Sequence, residues 1–307
     1  MKNIIKYITL ISLFLIPVAS QAQALPFVAA DMDALSLSKA GANVTETSSV
    51  ANSAFTNAAA IPFSEAGADI ALGYTLWQPG AAKANVLNVA GAYNIKEKFG
   101  VAVGFRYGMN PAYSVADPSG ASTATFRPSD IQANVGFAWR FLPYLSAGVN
   151  VGYASSTIAK GHSYGAVTSD IFVMSGFSDF KVALGVSNLG SKVKSASGAA
   201  FSLPASVTLG AGYDNVFAQK HGVNAQLDAD YYFAGSFAVA LGAAYTYDDL
   251  VSVRAGYRYG ADSVLPSFAS VGVGAKYFGI RLDLTYLIAT GDSPLKNTLA
   301  VGLGYSF

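Results

Sequence analysis

The sequence predicts an all-β protein: a transmembrane antiparallel β-barrel of about fourteen strands with a small N-terminal plug containing short helices. Three observations carry that expectation. The chain opens on an export signal, it alternates apolar and polar residues with period two from residue 69 onward, and it is poor in charge. Of its 307 residues, 52% are hydrophobic and 12% charged. Soluble domains usually carry about 25% charged residues, so something other than water must face much of this surface.

The export signal comes first. Lys2 and Lys6 give a positive start, and residues 8–19 form an apolar stretch interrupted by Pro17. That stretch falls short of the ~20 residues that span a bilayer as a helix. Ser20-Gln21-Ala22 and Ala22-Gln23-Ala24 set small residues at the spacing signal peptidase needs. Cleavage is expected after Ala22 or Ala24, leaving residues 1–22 out of the fold. Beyond it no run of ~18 apolar residues occurs, so a closed barrel is the remaining way to cross a membrane.

Residues 25–68 do not alternate. Residues 34–42 (ALSLSKAGA) and 48–60 (SSVANSAFTNAAA) are rich in small side chains and suit short helices. Low charge and recurrent Leu, Val, Phe and Ile argue against disorder. The expectation is a plug over 25–68, followed by a barrel over 69–307.

The barrel strands follow from alternation. In 237–247, Phe237, Val239, Leu241, Ala243, Tyr245 and Tyr247 share one face, and Ala238, Ala240, Gly242, Ala244 and Thr246 the other. The same pattern places strands at 69–77, 85–95, 99–108, 129–140, 143–155, 165–177, 180–189, 204–214, 221–233, 237–247, 250–259, 267–277, 279–289 and 297–307. Short connections at 96–98, 141–142, 178–179, 215–220, 248–249 and 278 alternate with longer ones at 78–84, 109–128, 156–164, 190–203, 260–266 and 290–296; 234–236 breaks the rule. Short periplasmic turns and long outer loops are what outer-membrane barrels show. Tyrosines near strand ends, among them Tyr74, Tyr93, Tyr213, Tyr277 and Tyr305, suit the lipid–water boundary. The last strand ends on Phe307, resembling the signal read by outer-membrane assembly machinery.

With the apolar set facing lipid, the inward set includes Arg106, Asn134, Arg140, Lys181, Asn224, Gln226, Asp228, Asp230, Arg254, Arg258, Lys276, Arg281 and Asp283. A charge on the lipid face near the midplane would cost about 2–4 kcal/mol. These ions either pair across the lumen and hold the plug, or form a polar track for a solute. Small inward residues leave room for a plug or a ligand.

The stretch Ala34-Leu-Ser-Leu-Ser-Lys-Ala-Gly-Ala-Asn-Val, followed by Ser53-Ala-Phe-Thr-Asn-Ala-Ala-Ala-Ile, resembles the plug of the PorV/PorQ family, part of the FadL-like group of outer-membrane barrels of Bacteroidetes. The positions that match are Gly41, Asn57, Ala59 and Ile61; Ala58 stands where the family usually has proline. The resemblance implies a fourteen-stranded plugged barrel. It also implies one of two kinds of work. One is passage of hydrophobic molecules through the lumen and out sideways through the wall. The other is a place in type IX secretion, receiving cargo or anchoring surface proteins.

No catalytic constellation stands out. His162 and His221 are far apart, and no cysteine is present to make a disulfide or a thiolate metal site. Gly272-Val-Gly274 continues a strand and is no phosphate loop. No cofactor, no metal and no enzyme activity are expected, and a net charge of +1 gives no field for nucleic acid. The expected location is the outer membrane of a Gram-negative bacterium. Expected partners are outer-membrane lipid, a hydrophobic small-molecule ligand, and secretion-apparatus or surface proteins contacting loops 109–128 and 190–203. The ligand reading predicts an apolar pocket between the plug, around Phe55, Asn57, Ile61 and Phe63, and the wall, with a kinked strand nearby. An open general porin is a further alternative, which a plug disfavours.

Overall fold

Alternating side chains with no helical period leave the chain one way to satisfy its backbone in lipid, a sheet closed on itself. The computed structural model describes residues 23–116, 122–194, 198–260, 264–289 and 291–307; the expected export signal through Ala22 lies outside them. The wall comprises β1 (Ala68–Trp77), β2 (Ala84–Ile95), β3 (Phe99–Met109), β6 (Ser129–Leu142), β7 (Leu145–Ala159), β8 (His162–Phe177) and β9 (Phe180–Gly190). It continues with β12 (Ser206–Phe217), β13 (His221–Tyr232), β14 (Ser236–Tyr247), β15 (Val251–Tyr259), β16 (Phe268–Tyr277), β17 (Ile280–Ile288) and β18 (Leu299–Ser306). Each pairs antiparallel with its neighbour, and β18 closes on β1 with Asp69 opposite Ser306 and Leu76 opposite Leu299. Fourteen strands form one closed barrel.

The exterior is apolar along its length. In β17, Ile280, Leu282 and Leu284 are exposed while Arg281, Asp283 and Thr285 are buried in the lumen. The same phase holds in β14, where Phe237 and Leu241 point out and Ala238 and Ala240 in. An exposed apolar surface this extensive requires lipid around it. Rings pair at the short-turn end: Tyr144 with Phe177 (5.3 Å between centroids), Phe180 with Tyr213 (5.0 Å) and Tyr305 with Phe307 (5.5 Å).

The structure departs from the sequence reading at the outer loops. Loop 109–128 contains a hairpin, β4 (Tyr113–Ala116) with β5 (Ser122–Phe126), and loop 190–203 contains a two-residue pair, β10 (Val193–Lys194) with β11 (Ala200–Phe201). The expected loop 156–164 is mostly strand, because β7 and β8 stay paired out to Ala159 and His162. Beyond the membrane both faces meet water, so the ladder continues there without an apolar pattern to reveal it.

Residues 25–67 fill the lumen. They form one α-helix, α1 (Ala34–Ser38), and three 3-10 turns, Pro26–Ala29, Ala51–Ala54 and Ala58–Phe63. Asp33 caps α1 by accepting the Ser36 N–H (2.9 Å). The helix ends after Ser38 in a left-handed turn: Ala40, at φ +56°, donates to the Leu37 carbonyl (3.0 Å), and Gly41, at φ +82°, to the Ser36 carbonyl (2.9 Å). A Cβ on Gly41 would also collide with the Asp31 carboxylate. Asn57 caps the third turn through the Ala59 N–H (2.9 Å) and donates to the Val44 carbonyl (2.8 Å). Ala58, where the resembling family usually has proline, takes the first position of that turn. Proline is favoured there, but alanine completes the same turn.

Candidate functional site

A plug with little regular structure exposes carbonyls that its own backbone cannot satisfy, and a buried carbonyl without a partner is costly. The wall supplies the donors. Thr75 Oγ1 donates to Met32 O (2.9 Å), Thr285 Oγ1 to Ala34 O (2.6 Å), Ser270 Oγ to Ser38 O (3.0 Å), Asn134 Nδ2 to Ala54 O (2.9 Å) and Ser146 Oγ to Ala59 O (2.6 Å). Close approach also requires missing side chains. The Lys39 backbone lies against Gly242 and Gly256, where a Cβ would run into it.

Charges join the same seal. Asp228 Oδ2 accepts the backbone N–H groups of Asn43 (2.7 Å) and Val44 (2.9 Å). Arg258 donates to Asp230 (2.9 Å) and to the Tyr232 hydroxyl (3.1 Å). Asp283 receives Arg254 on one oxygen (2.7 Å) and Arg281 on the other (2.8 Å). Arg106 donates to Asn88 and to Ala30 O (both 3.2 Å) and stacks on Phe55 at 3.8 Å. Arg140 donates to Pro62 O (3.2 Å) and stacks on Phe63 at 4.5 Å. Ile61 is fully buried among Val50, Ala54, Ala92 and Ala138.

The plug carries its own ion pair, Lys39 with Glu46, both buried. Burial pushes the Glu46 carboxyl up, but the Lys39 charge and hydrogen bonds from Lys39 and Ser48 hold it below the usual carboxylate range. Asp31 goes the other way. Burial, with Asp33 beside it, pushes its carboxyl up to about 6 against the opposing pull of Arg106.

Three cavities stand out among the described residues. An outer cavity of about 610 Å³ is lined largely by apolar side chains, including Leu25, Phe27, Met32, Trp77, Val86 and Leu265. An inner vestibule of about 1090 Å³ opens at the short-turn end among Lys39, Glu46, Lys181, Asp214, Arg254 and Arg281. A small polar space of about 80 Å³ lies beside Asp31, Asp170, Asn188 and Asp228, and Ala30 lines both it and the outer cavity. There the wall is irregular. The β8–β9 register slips between Ser169 and Ile171, Asn188 has φ +55°, and its N–H donates to Asp170 (2.7 Å).

The pocket expected around Phe55, Ile61 and Phe63 is therefore displaced. Phe55 and Ile61 pack on the wall at Gly104 and Gly100; Phe55 borders only the small polar space and Phe63 the inner vestibule. The apolar cavity lies instead under residues 23–32 at the outer end. The sequence-predicted charges Arg254, Arg281 and Asp283 come together, as do Arg258 and Asp230. Asp228, Arg106 and Arg140 each reach the plug separately. Sequence reasoning missed Trp77, Val86, Phe268 and Leu287. Each is a large apolar residue on the inward phase, which was the available signal. It also missed Asp69, which accepts from Ser49 (2.7 Å) and the Ala51 N–H (3.1 Å).

No model of a known protein family matches the chain, and no curated protein does either. Solved structures do. The Pseudomonas putida toluene transporter TodX superposes with a TM-score of 0.64 over 93% of this chain and 99% of its own, at 14% identity. The likeness is one of fold. The CymD monoaromatic hydrocarbon channel gives 0.62 over 90% and 97% at 12% identity. The Ralstonia pickettii toluene transporter TbuX gives 0.60 over 89% and 97% at 11%.

Proposed function

We propose that this protein is a FadL-like outer-membrane channel for hydrophobic or amphipathic small molecules, in a Gram-negative bacterium, and not an enzyme. The observation that carries the reading is the apolar outer cavity of about 610 Å³, a size typical of small-molecule sites. It sits above a plug packed into the lumen, which disfavours an open pore for general solutes. The fold shared with toluene and monoaromatic hydrocarbon channels supports it. The reading divides the chain into an export signal cleaved after Ala22 or Ala24, a plug over 25–68 and a barrel over 69–307. Ligand would enter the outer cavity, pass Ala30, and leave through the wall at the Asp170–Asn188 irregularity. In this reading Asn57, Phe55, Ile61, Phe63, Arg106, Arg140, Asp228, Asp230, Arg254, Arg258, Arg281 and Asp283 hold the plug and do not form a track.

Uptake of labelled toluene by Gram-negative cells expressing the protein tests the proposal. Faster uptake than in empty-vector cells is expected. Equal uptake counts against a hydrocarbon channel, and swelling of proteoliposomes in arabinose would make it a general porin.

A second reading follows the PorV/PorQ resemblance: a type IX secretion subunit that receives cargo or anchors surface proteins. The hairpin β4–β5 favours it, with Tyr113 half exposed in the outer loop expected to make such contacts. A co-purified surface protein lost on deleting residues 113–126 would support this reading.

A further inference from the structure

The inner end of the outer cavity is not apolar. Arg106 on β3 and Gln132 on β6 are register partners, so their side chains stand side by side on the lumen face. Both line the cavity, two residues deeper along their strands than Gly108 and Asp130, which line it as well. Both are more than nine-tenths buried, at 4% and 2% exposure. Each keeps one polar atom without a hydrogen-bond partner among the described residues: Nη2 of Arg106, a donor, and Oε1 of Gln132, an acceptor. The other Arg106 nitrogens are engaged with Asn88 and Ala30 O. On these neighbouring residues at the base of an apolar chamber, a buried donor and a buried acceptor have no protein partner among the described residues, which is costly unless a bound group satisfies them.

Charge decides what that something is. Arg106 already has the Asp31 and Asp33 carboxylates within electrostatic reach. Asp130, holding Asn110 at 2.9 Å, adds a further acid to the lining. An incoming anion would meet those acids, and a carboxylate has no hydrogen for Gln132. A hydrocarbon would leave both atoms dry and unpaired. A hydroxyl donates once and accepts, so it can give its hydrogen to Gln132 Oε1 and take one from Arg106 Nη2.

We propose that the outer cavity selects apolar compounds carrying one neutral hydroxyl, phenols and alcohols, over the matching hydrocarbons and carboxylates, with Arg106 and Gln132 as the residues that set this preference. The proposal rests on the channel reading and names its ligand class.

Equilibrium dialysis of the full-length protein in amphipol against 4-propylphenol, propylbenzene and 4-propylbenzoate tests it, with Gln132→Leu measured alongside. Partitioning of each compound into the amphipol cancels in the ratio of wild type to variant. The phenol is expected to bind wild type about tenfold more tightly than either of the others, and to lose about that factor in Gln132→Leu while propylbenzene does not weaken. A heat-modifiable gel band checks that the variant folds, and the order of the three compounds on wild type, each corrected for uptake by protein-free amphipol, stands without it. Equal binding of phenol and hydrocarbon overturns the head-group inference and leaves the channel reading intact. Tightest binding of the benzoate overturns it in favour of an anion site. Saturable binding of none of the three overturns the cavity reading itself.

Discussion

At the outer ends of β1, β2, β16 and β17 the inward positions hold Trp77, Val86, Phe268 and Leu287. At the inner ends of β9, β12, β15 and β17 the same inward phase holds Lys181, Asp214, Arg254 and Arg281. The strands, the register and the lipid-facing side are alike at both ends; only the lumen filling differs. Both ends keep space, about 610 Å³ outside and about 1090 Å³ inside, but the outer chamber is walled by side chains that need no polar partner. The charged end is knitted into ion pairs, because each buried charge there must find its opposite. In the proposed reading the difference separates two jobs on one fold: holding a ligand outside, and anchoring the plug inside.

That comparison can be broken from the charged end first. Asp283→Ala strands Arg254 and Arg281 together in the lumen, and breaking a buried pair usually costs about 3–5 kcal/mol. Loss of the heat-resistant folded band at a much lower temperature is expected. Asp31 comes next. Its carboxyl, pushed up from 3.8 to about 6, binds its proton more tightly folded than unfolded. Its contribution to stability is therefore full below about pH 4 and is lost as pH rises through about 6, by roughly 3 kcal/mol on linkage. Asp31→Asn should flatten that step in a pH series of urea unfolding. Asp228→Ala leaves the Asn43 and Val44 N–H groups without their acceptor and should cost about 2–3 kcal/mol, read as faster hydrogen exchange at residues 43 and 44. Lys220 faces Asp248 at the exposed inner rim (3.2 Å), and Lys220→Ala should change stability by no more than about 0.5 kcal/mol. A large effect there would show that the inner rim, like the lumen, depends on its pairs.

The wall was legible because lipid outside and plug inside impose a strict period of two, as in 237–247, and the aromatic ends mark where lipid stops. The pattern failed where water meets both faces, so residues 156–164 read as loop although β7 and β8 run through them. The plug was legible as a segment but not in its contacts. Its carbonyls are held by ordinary residues such as Thr75, Thr285 and Ser146, which look no different from any small polar residue in a strand. The charged pairs were visible as inward charges, but which ones meet depends on strand neighbours: Asp283 reaches Arg254 two strands away. The apolar chamber was not legible, because large apolar residues in a strand look alike whether they face lipid or lumen. Trp77 and Val86 stand on the opposite phase, and that phase is the clue.

The central claim, that hydrophobic ligand uses the outer chamber and not the inner vestibule, is tested most directly by filling each in turn. Ala84 lines the outer cavity and Ala244 the vestibule. Labelled toluene uptake by cells expressing Ala84→Phe should fall close to the empty-vector level, while Ala244→Phe, matched for surface expression, should keep most of the wild-type rate. Uptake blocked by Ala244→Phe and spared by Ala84→Phe would contradict the account.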